Sequence, residues 1–253
     1  MANTRLGVIS ALPEELAHLS DRPGRVEEIG GLAFWSGEIS GREAVFVESG
    51  AGKVNAGVAT SLLLDRFGCR ALLLCGAAGG LDPTLGVGDV VVGTRNTQHD
   101  FGLAREDGFW AIQPGSRPSL GQSWEPGYAV SDAVVQRLRA ALDGLALDPL
   151  PEAVGAGVRQ PAIHFGPILT GDCFVNAEPL RQRLQATFGA LAVEMEGGAV
   201  AQVAARWGDD IPVVNVRCLS DLAGRESHLD FRAFLSVAAQ AASRVAHRLA
   251  PAI

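Results

Sequence analysis

Lysine is nearly absent from this 253-residue chain: Lys53 stands alone, and 21 basic residues against 28 acidic ones leave a formal net charge of −7. That balance builds no basic field, which argues against nucleic acid or an anionic membrane as a partner. Cysteine is sparse as well. Cys69, Cys75, Cys173 and Cys218 form no CxxC pair, and each lies in or beside an apolar run, as expected of reduced, mostly buried thiols. No group of His and Cys has metal-ligand spacing, so no metal is expected. No run approaches the ~20 apolar residues of a membrane-spanning helix. The opening "MANTRLGVISALPEE" lacks the basic, long apolar and small-residue order of a signal peptide, so a soluble, cytoplasmic protein is expected. Repeats, low-complexity tracts and linkers are missing too, and residues 1–253 read as one domain.

What the chain does contain is core-forming material, with 47% hydrophobic residues. Short apolar runs recur between Gly, Ser and Asp: 6–10, 44–49, 71–76, 89–93, 167–171, 191–195 and 212–220. Several are apolar at consecutive positions, the mark of strands covered on both faces. Between them, helical spacing occupies 13–20, 53–66, 131–143, 177–188, 197–207 and 230–249. In the last, Phe231, Phe234, Leu235, Ala238, Ala241, Val245 and Leu249 recur every three or four residues. This alternation predicts an α/β fold, a three-layer αβα sandwich. Residues 101–127, rich in Gly, Pro and Ser with no period, predict a long loop.

Ligands in parallel α/β sheets gather at the carboxyl ends of strands, and here those ends are acidic. The first closes in "SALPEEL", where Glu14 and Glu15 suit a helix first turn. The GxGK fragment at Gly50–Lys53 fails the phosphate-loop pattern, because Val54 follows the lysine. Gly76, Gly79 and Gly80 permit close approach of backbone to a ligand but do not form a dinucleotide fingerprint. In "GDCFVN", Phe174 is either core or the stacking wall of a base pocket, and Cys173 has no partnering His in a nucleophile arrangement. "LAVEMEGGAV" delivers Glu194, Met195 and Glu196 to a strand end. Glu196 then falls at a helix N-terminus, where backbone N–H groups would hold it ionised and ready to accept two hydroxyls of a vicinal diol, or simply to cap the helix. Arg217, inside an almost wholly apolar strand, must meet a glutamate or a ligand oxygen. Asp221 closes that strand as a cap or a proton donor.

In order and spacing, "GVISALPEEL", "GAGKVNAG", "GAAGGLDPTLGVGDVVV", "GPILTGDCFVN", "AVEMEGGAVAQVA" and "VRCLSDLAGRESHLDF" resemble the 5′-methylthioadenosine/S-adenosylhomocysteine nucleosidases of the nucleoside phosphorylase superfamily. The resemblance runs from about residue 5 to 249. It implies an αβα sandwich with a mixed central sheet and a homodimer that hydrolyses the N-glycosidic bond of an adenine thionucleoside without a cofactor. By the same resemblance, Glu15 is the base that activates water and Asp221 the acid that protonates adenine N7. Glu196 holds the ribose hydroxyls with Met195 beside it, Phe174 stacks on the base, and Val175 and Gly79 lend contacts. Arg217 and Ser220 support the water, the ribose or Asp221. Glu194 is expected to sit behind them, pairing with Arg217.

That chemistry needs two separated carboxylates. Leaving of adenine from C1′ calls for an acid near the purine, and attack by water calls for a base on the other face of the sugar. The superfamily's phosphorylases usually carry a GDPxR loop and an Arg ahead of the glycine turn, where this chain has "ALPEE" and "LLLCG". An anionic phosphate beside Glu15 would be repelled, so water is the expected nucleophile. Two departures bear on substrate choice. Ala77 replaces the family's usual Ser, and "TQHDFGLAREDGFW" replaces the segment that helps build the 5′-substituent pocket, with Phe101, Phe109 and Trp110 keeping it apolar. Futalosine-type nucleosides remain an alternative substrate, and a nucleoside-binding module without catalysis an alternative function.

Overall fold

The computed structural model describes residues 4–20, 22–106, 108–117, 125–150, 159–208, 210–223 and 231–253. In chain order the elements are β1 (Leu6–Ser10), α1 (Pro13–Leu16), β2 (Arg22–Ile29), β3 (Leu32–Ile39), β4 (Arg42–Glu48), α2 (Lys53–Asp65), β5 (Ala71–Gly80) and β6 (Val90–Gln98). There follow β7 (Gly102–Arg105), β8 (Gly108–Ala111), β9 (Tyr128–Ala129), α3 (Asp132–Leu142), β10 (Ile163–Thr170) and α4 (Glu178–Phe188). The chain closes with β11 (Ala192–Glu194), α5 (Gly197–Trp207), β12 (Val213–Asp221), α6 (Phe231–Leu249) and a short 3₁₀ turn.

The consecutive apolar runs are central strands because side chains alternate between the sheet's two faces and both faces are covered. Leu6, Val8, Leu73, Cys75, Val214 and Val216 join one core with Phe234, Ala238, Val245 and Leu249 of α6 and Val134 and Leu138 of α3. Ile9, Val45, Val47, Leu72, Leu74 and Val213 face the other way, onto Ala56, Ala59 and Leu63 of α2 and Val200, Ala201 and Ala204 of α5. Two helical layers thus enclose a mixed sheet, the expected sandwich.

The sheet runs β11-β10-β6-β12-β5-β1-β4-β3-β2, and β11 also pairs with β5. That extra pairing curls five strands into a ring. Ala78, Leu219, Val91, Ile168 and Ala192, one from each strand of the ring, fall in a single buried cluster. The antiparallel β11–β5 contact sets Val193 opposite Gly79, which joins two strand ends that an open sheet would keep apart.

Several expectations need correction. Helix α1 ends at Leu16 rather than 20, because the chain tightens into a turn with Leu19 N–H bonded to Leu16 O and the Leu19 side chain fully buried. Residues 22–39 form an antiparallel pair, β2 and β3, that the sequence reading missed. The 101–127 segment is not all loop, since Gly102–Arg105 and Gly108–Ala111 pair as a hairpin. Residues 118–124 of that segment, residues 224–230 of the last motif and the Phe231 side chain lie outside the described residues. Among the described residues no helix is long and apolar enough to cross a membrane.

Candidate active site

Glu15 is the third residue of α1, and its side chain turns back onto the helix start. Oε2 accepts the N–H groups of Ala11 (3.0 Å) and Leu12 (3.1 Å), while Oε1 accepts that of Ala77 (2.9 Å) from the end of β5. One carboxylate therefore joins the start of α1 to the end of β5. Burial raises its pKa, opposed by Arg217 and by the N–H donors. The approach depends on Gly76: a Cβ there would stand 2.5 Å from Glu15 Oε1 and 2.8 Å from Arg217 Nη1.

The two glutamates of "VEMEGG" divide their duties differently from the expectation. Glu194, not Glu196, takes the start of α5. Its oxygens accept Glu196 N–H (3.0 Å), Gly197 N–H (2.9 and 3.0 Å) and the Thr170 hydroxyl, and Oε2 lies 2.5 Å from Arg217 Nη2. The expected Glu194–Arg217 pair is present. Glu196 is the N-cap residue, yet its side chain makes no capping hydrogen bond. It reaches across the sheet to accept Gly52 N–H (2.9 Å), with Arg217 Nη2 3.3 Å away. Without the helix N–H groups it is not held firmly ionised. Burial lifts its pKa to about 7 against the pull of Arg217, and neighbouring Glu194 adds to the rise.

Arg217 answers all three carboxylates. Burial alone would lower its proton affinity, but Glu194, Glu196 and Glu15 together push it up. A guanidinium 3% exposed inside a strand is tolerated only because each of its nitrogens has a partner: Nε bonds Asn215 Oδ1 (2.8 Å), Nη1 the Ala77 carbonyl (3.4 Å) and Nη2 the glutamates.

At the end of β12 the pairing with β5 slips between Leu219 and Asp221, leaving Ser220 as the extra residue of a bulge. Bulges re-aim side chains. Here Asp221 turns so that Oδ1 accepts Ala223 N–H (2.7 Å) and Oδ2 accepts the Ser220 hydroxyl (3.0 Å). Burial raises the Asp221 pKa despite those two donors. Gly79 lies close beside it: a Cβ there would stand 3.3 Å from Asp221 Oδ1 and 3.2 Å from Ala223 Cβ, a tight fit.

A cavity of about 250 Å³ collects Glu15, Gly79, Phe174, Val175, Met195, Glu196, Arg217, Ser220 and Asp221 in one space, whereas Phe101, Phe109 and Trp110, expected to keep a 5′ pocket apolar, are exposed and do not line it. Ala77, Cys173 and Glu194 line it too. Phe174 is 61% exposed, which removes the core alternative, whereas Val175 is buried against Leu169 and Leu184. Cys173 is the one exposed thiol of the four.

Sequence reasoning missed the supports. Thr170 and the amides of Asn96 and Asn215 are buried polar groups in apolar strands, a signal open to reading. Lys53 was weighed only as a phosphate ligand. Its Nζ bonds Asp100 (2.6 Å) with Asp172 3.5 Å away, and its N–H bonds Asp172 (3.0 Å), which ties the Gly52 loop to the ends of β6 and β10. Partners so distant in sequence leave no local pattern.

Comparison with known proteins identifies the family. The phosphorylase superfamily model matches residues 5–251. A 5′-methylthioadenosine/S-adenosylhomocysteine nucleosidase of Mycobacterium bovis is 44% identical over 250 residues, covering 98% of this chain and 97% of its own. The chain belongs to the 5′-methylthioadenosine/S-adenosylhomocysteine nucleosidase family. Among solved structures, the nucleosidase of Neisseria meningitidis in complex with methylthio-immucillin-A superimposes with a TM-score of 0.79 at 27% identity, covering 99% of this chain and 100% of that one. The Helicobacter pylori nucleosidase, at 23% identity, shares the fold with a TM-score of 0.82 over the full length of both chains. Within the nucleosidase family the described cavity accounts for the strand ends that looked too acidic for a core.

Proposed function

We propose that the protein hydrolyses the N-glycosidic bond of 5′-methylthioadenosine, and of S-adenosylhomocysteine, to adenine and the 5-substituted ribose. The observation that carries this reading is a single cavity holding two buried carboxyl groups, Glu15 and Asp221, each with a raised pKa and each aimed by its own backbone N–H donors.

Asp221, proton-bearing more readily than an ordinary aspartate, donates to N7 and turns adenine into a neutral leaving group. Glu15 holds and deprotonates the attacking water, and its raised pKa makes it a stronger base than a solvated glutamate. Positive charge developing on the sugar is stabilised by the surplus of carboxylates around Arg217. Glu196 binds the ribose hydroxyls, Met195 packs beside the sugar, Phe174 stacks on the base, and Val175 and Gly79 supply apolar and backbone surface. Arg217 and Ser220 orient Glu196 and Asp221. No cofactor enters this chemistry.

The acting unit is one nucleosidase domain, assembled as a homodimer, in the cytoplasm, with methionine salvage as its metabolic setting. Purified protein in phosphate-free buffer should release adenine from 5′-methylthioadenosine. No adenine release would overturn the reading, and faster turnover of futalosine in the same substrate panel would replace the substrate. Asp221→Asn should abolish turnover while leaving the fold intact.

A further inference from the structure

Two asparagines sit where the surrounding strands are apolar. Asn215 is 0% exposed and Asn96 is 1% exposed. Buried amides are tolerated when their hydrogen bonds are made, and here the bonds run in one direction. Arg217 is donor-only, so its Nε–H requires the oxygen of Asn215, at 2.8 Å. With that oxygen committed, the Asn215 amide nitrogen faces the other way and donates to Asn96 Oδ1 at 2.9 Å. Asn96 then has its oxygen committed too, and its own nitrogen has no partner among the described residues. The chain's polarity follows from the guanidinium, so the amide orientations are fixed by their neighbours rather than interchangeable.

Room for this relay is made by Gly197, the first residue of α5. A Cβ at that position would collide with Asn215 Nδ2 and lie 3.0 Å from Asn96 Oδ1. Two apolar side chains in place of the asparagines would avoid the orphaned nitrogen and would fill the space at least as well. What they could not do is hold Nε.

We propose that Asn215, oriented by Asn96, is a positioning residue that fixes the plane of the Arg217 guanidinium and, through it, the grip of Glu196 on the sugar. Arg217 Nη2 serves Glu194 and Glu196 at unequal distances, 2.5 and 3.3 Å, so a small rotation of the guanidinium decides how much of it Glu196 retains. The charged groups facing Glu196 are Arg217 of β12, Glu194 of β11 and Glu15 of α1. Of these only Arg217 favours its ionised form. Loosening Arg217 therefore leaves Glu196 harder to ionise and a poorer acceptor for two hydroxyls. This inference rests on the proposed role of Glu196 in binding ribose.

The test is Asn215→Leu, assayed for adenine release from 5′-methylthioadenosine across pH. Unmutated protein run alongside keeps the two ideas separate, because failure of that control to release adenine refutes the proposed function and not the relay. With the control active, Asn215→Leu should raise KM about 10-fold, the usual scale for losing a hydrogen bond to a charged group. It should lower kcat less, and the midpoint of 1/KM against pH should move upward. In an Arg217→Lys background, which has no Nε–H to hold, Asn215→Leu should change KM no further. A folded Asn215→Leu variant with unchanged KM and an unmoved pH midpoint would overturn the proposal, as would full additivity with Arg217→Lys. Should Asn215→Leu fail to fold, Asn96→Leu carries the same test with a shift of about 3-fold. Loss of folding in both would overturn the proposal in favour of a purely structural role.

Discussion

Arg217 and Lys53 each stand among carboxylates near the carboxyl ends of the same sheet's strands, one in the interior and one at the rim. Around Arg217, burial raises the pKa values of Glu15 and Glu196 against the pull of the guanidinium, and for Glu196 the neighbouring Glu194 and Glu15 add to the rise. Around Lys53, Asp100 moves the other way. Burial alone would raise it, but hydrogen bonds from Lys53 Nζ and Asp172 N–H outweigh that and hold it below the usual carboxylate range. The side chains there are 16%, 25% and 52% exposed, so solvent shares the work. The same kind of ion cluster thus yields proton-hungry groups inside and ordinary anchors outside. Burial and the ratio of charges separate chemistry from fastening.

Removing the interior cation should do the most damage. Arg217→Met leaves Glu194 and Glu196 uncompensated and should cost about 3–5 kcal/mol of stability, read by denaturant unfolding, along with turnover. A loss below 1 kcal/mol would make the two clusters equivalent. Glu15→Gln keeps the shape and removes the base, so kcat should fall about 10²–10⁴-fold with an unchanged circular dichroism spectrum. A near-normal rate would show that the raised pKa serves no proton transfer.

Glu196 sharpens the contrast through pH. Its folded pKa of about 7 lies above the ordinary 4.5, so the stability it contributes is complete below about pH 4.5 and is lost as pH rises through 7. Glu196→Gln should flatten that part of the Tm-against-pH curve, leaving the variant about 3 °C above the unmutated protein at pH 8 while it loses substrate affinity. Parallel curves would show that burial does not strain this carboxylate. The smallest effect belongs to the rim: Lys53→Met should cost under about 1 kcal/mol, less still in high salt. A salt-insensitive loss of several kcal/mol would mean that the rim cluster is a second interior.

How much of this was legible in the sequence depends on the distance between partners. The central strands could be read because both of their faces are apolar. β2 and β3 could not, because "RPGRVEEI" and "LAFWSGEI" mix polar and apolar residues at an edge where one layer of cover suffices. Glu15, Glu196, Arg217 and Asp221 could be singled out as candidates because each interrupts or closes an apolar run. The division of labour between Glu194 and Glu196 was not, since both stand at the same helix start and only the turn between them decides which faces the helix N–H groups. Closure of the ring by β11 on β5 leaves no local signature at all. The buried amides were visible as polar letters in "VVNVRC" and "TRNTQ", yet their meaning required seeing them touch.

One feature at the rim has practical weight. A chain with a single lysine offers amine-directed reagents one side-chain address, and Lys53 adjoins Gly52, whose N–H Glu196 accepts. An acylating fluorophore would attach slowly, because Nζ is ion-paired, with the α-amino group as the competing site. It would sit one residue from the sugar's proposed anchor, giving the enzyme a built-in reporter of substrate arrival.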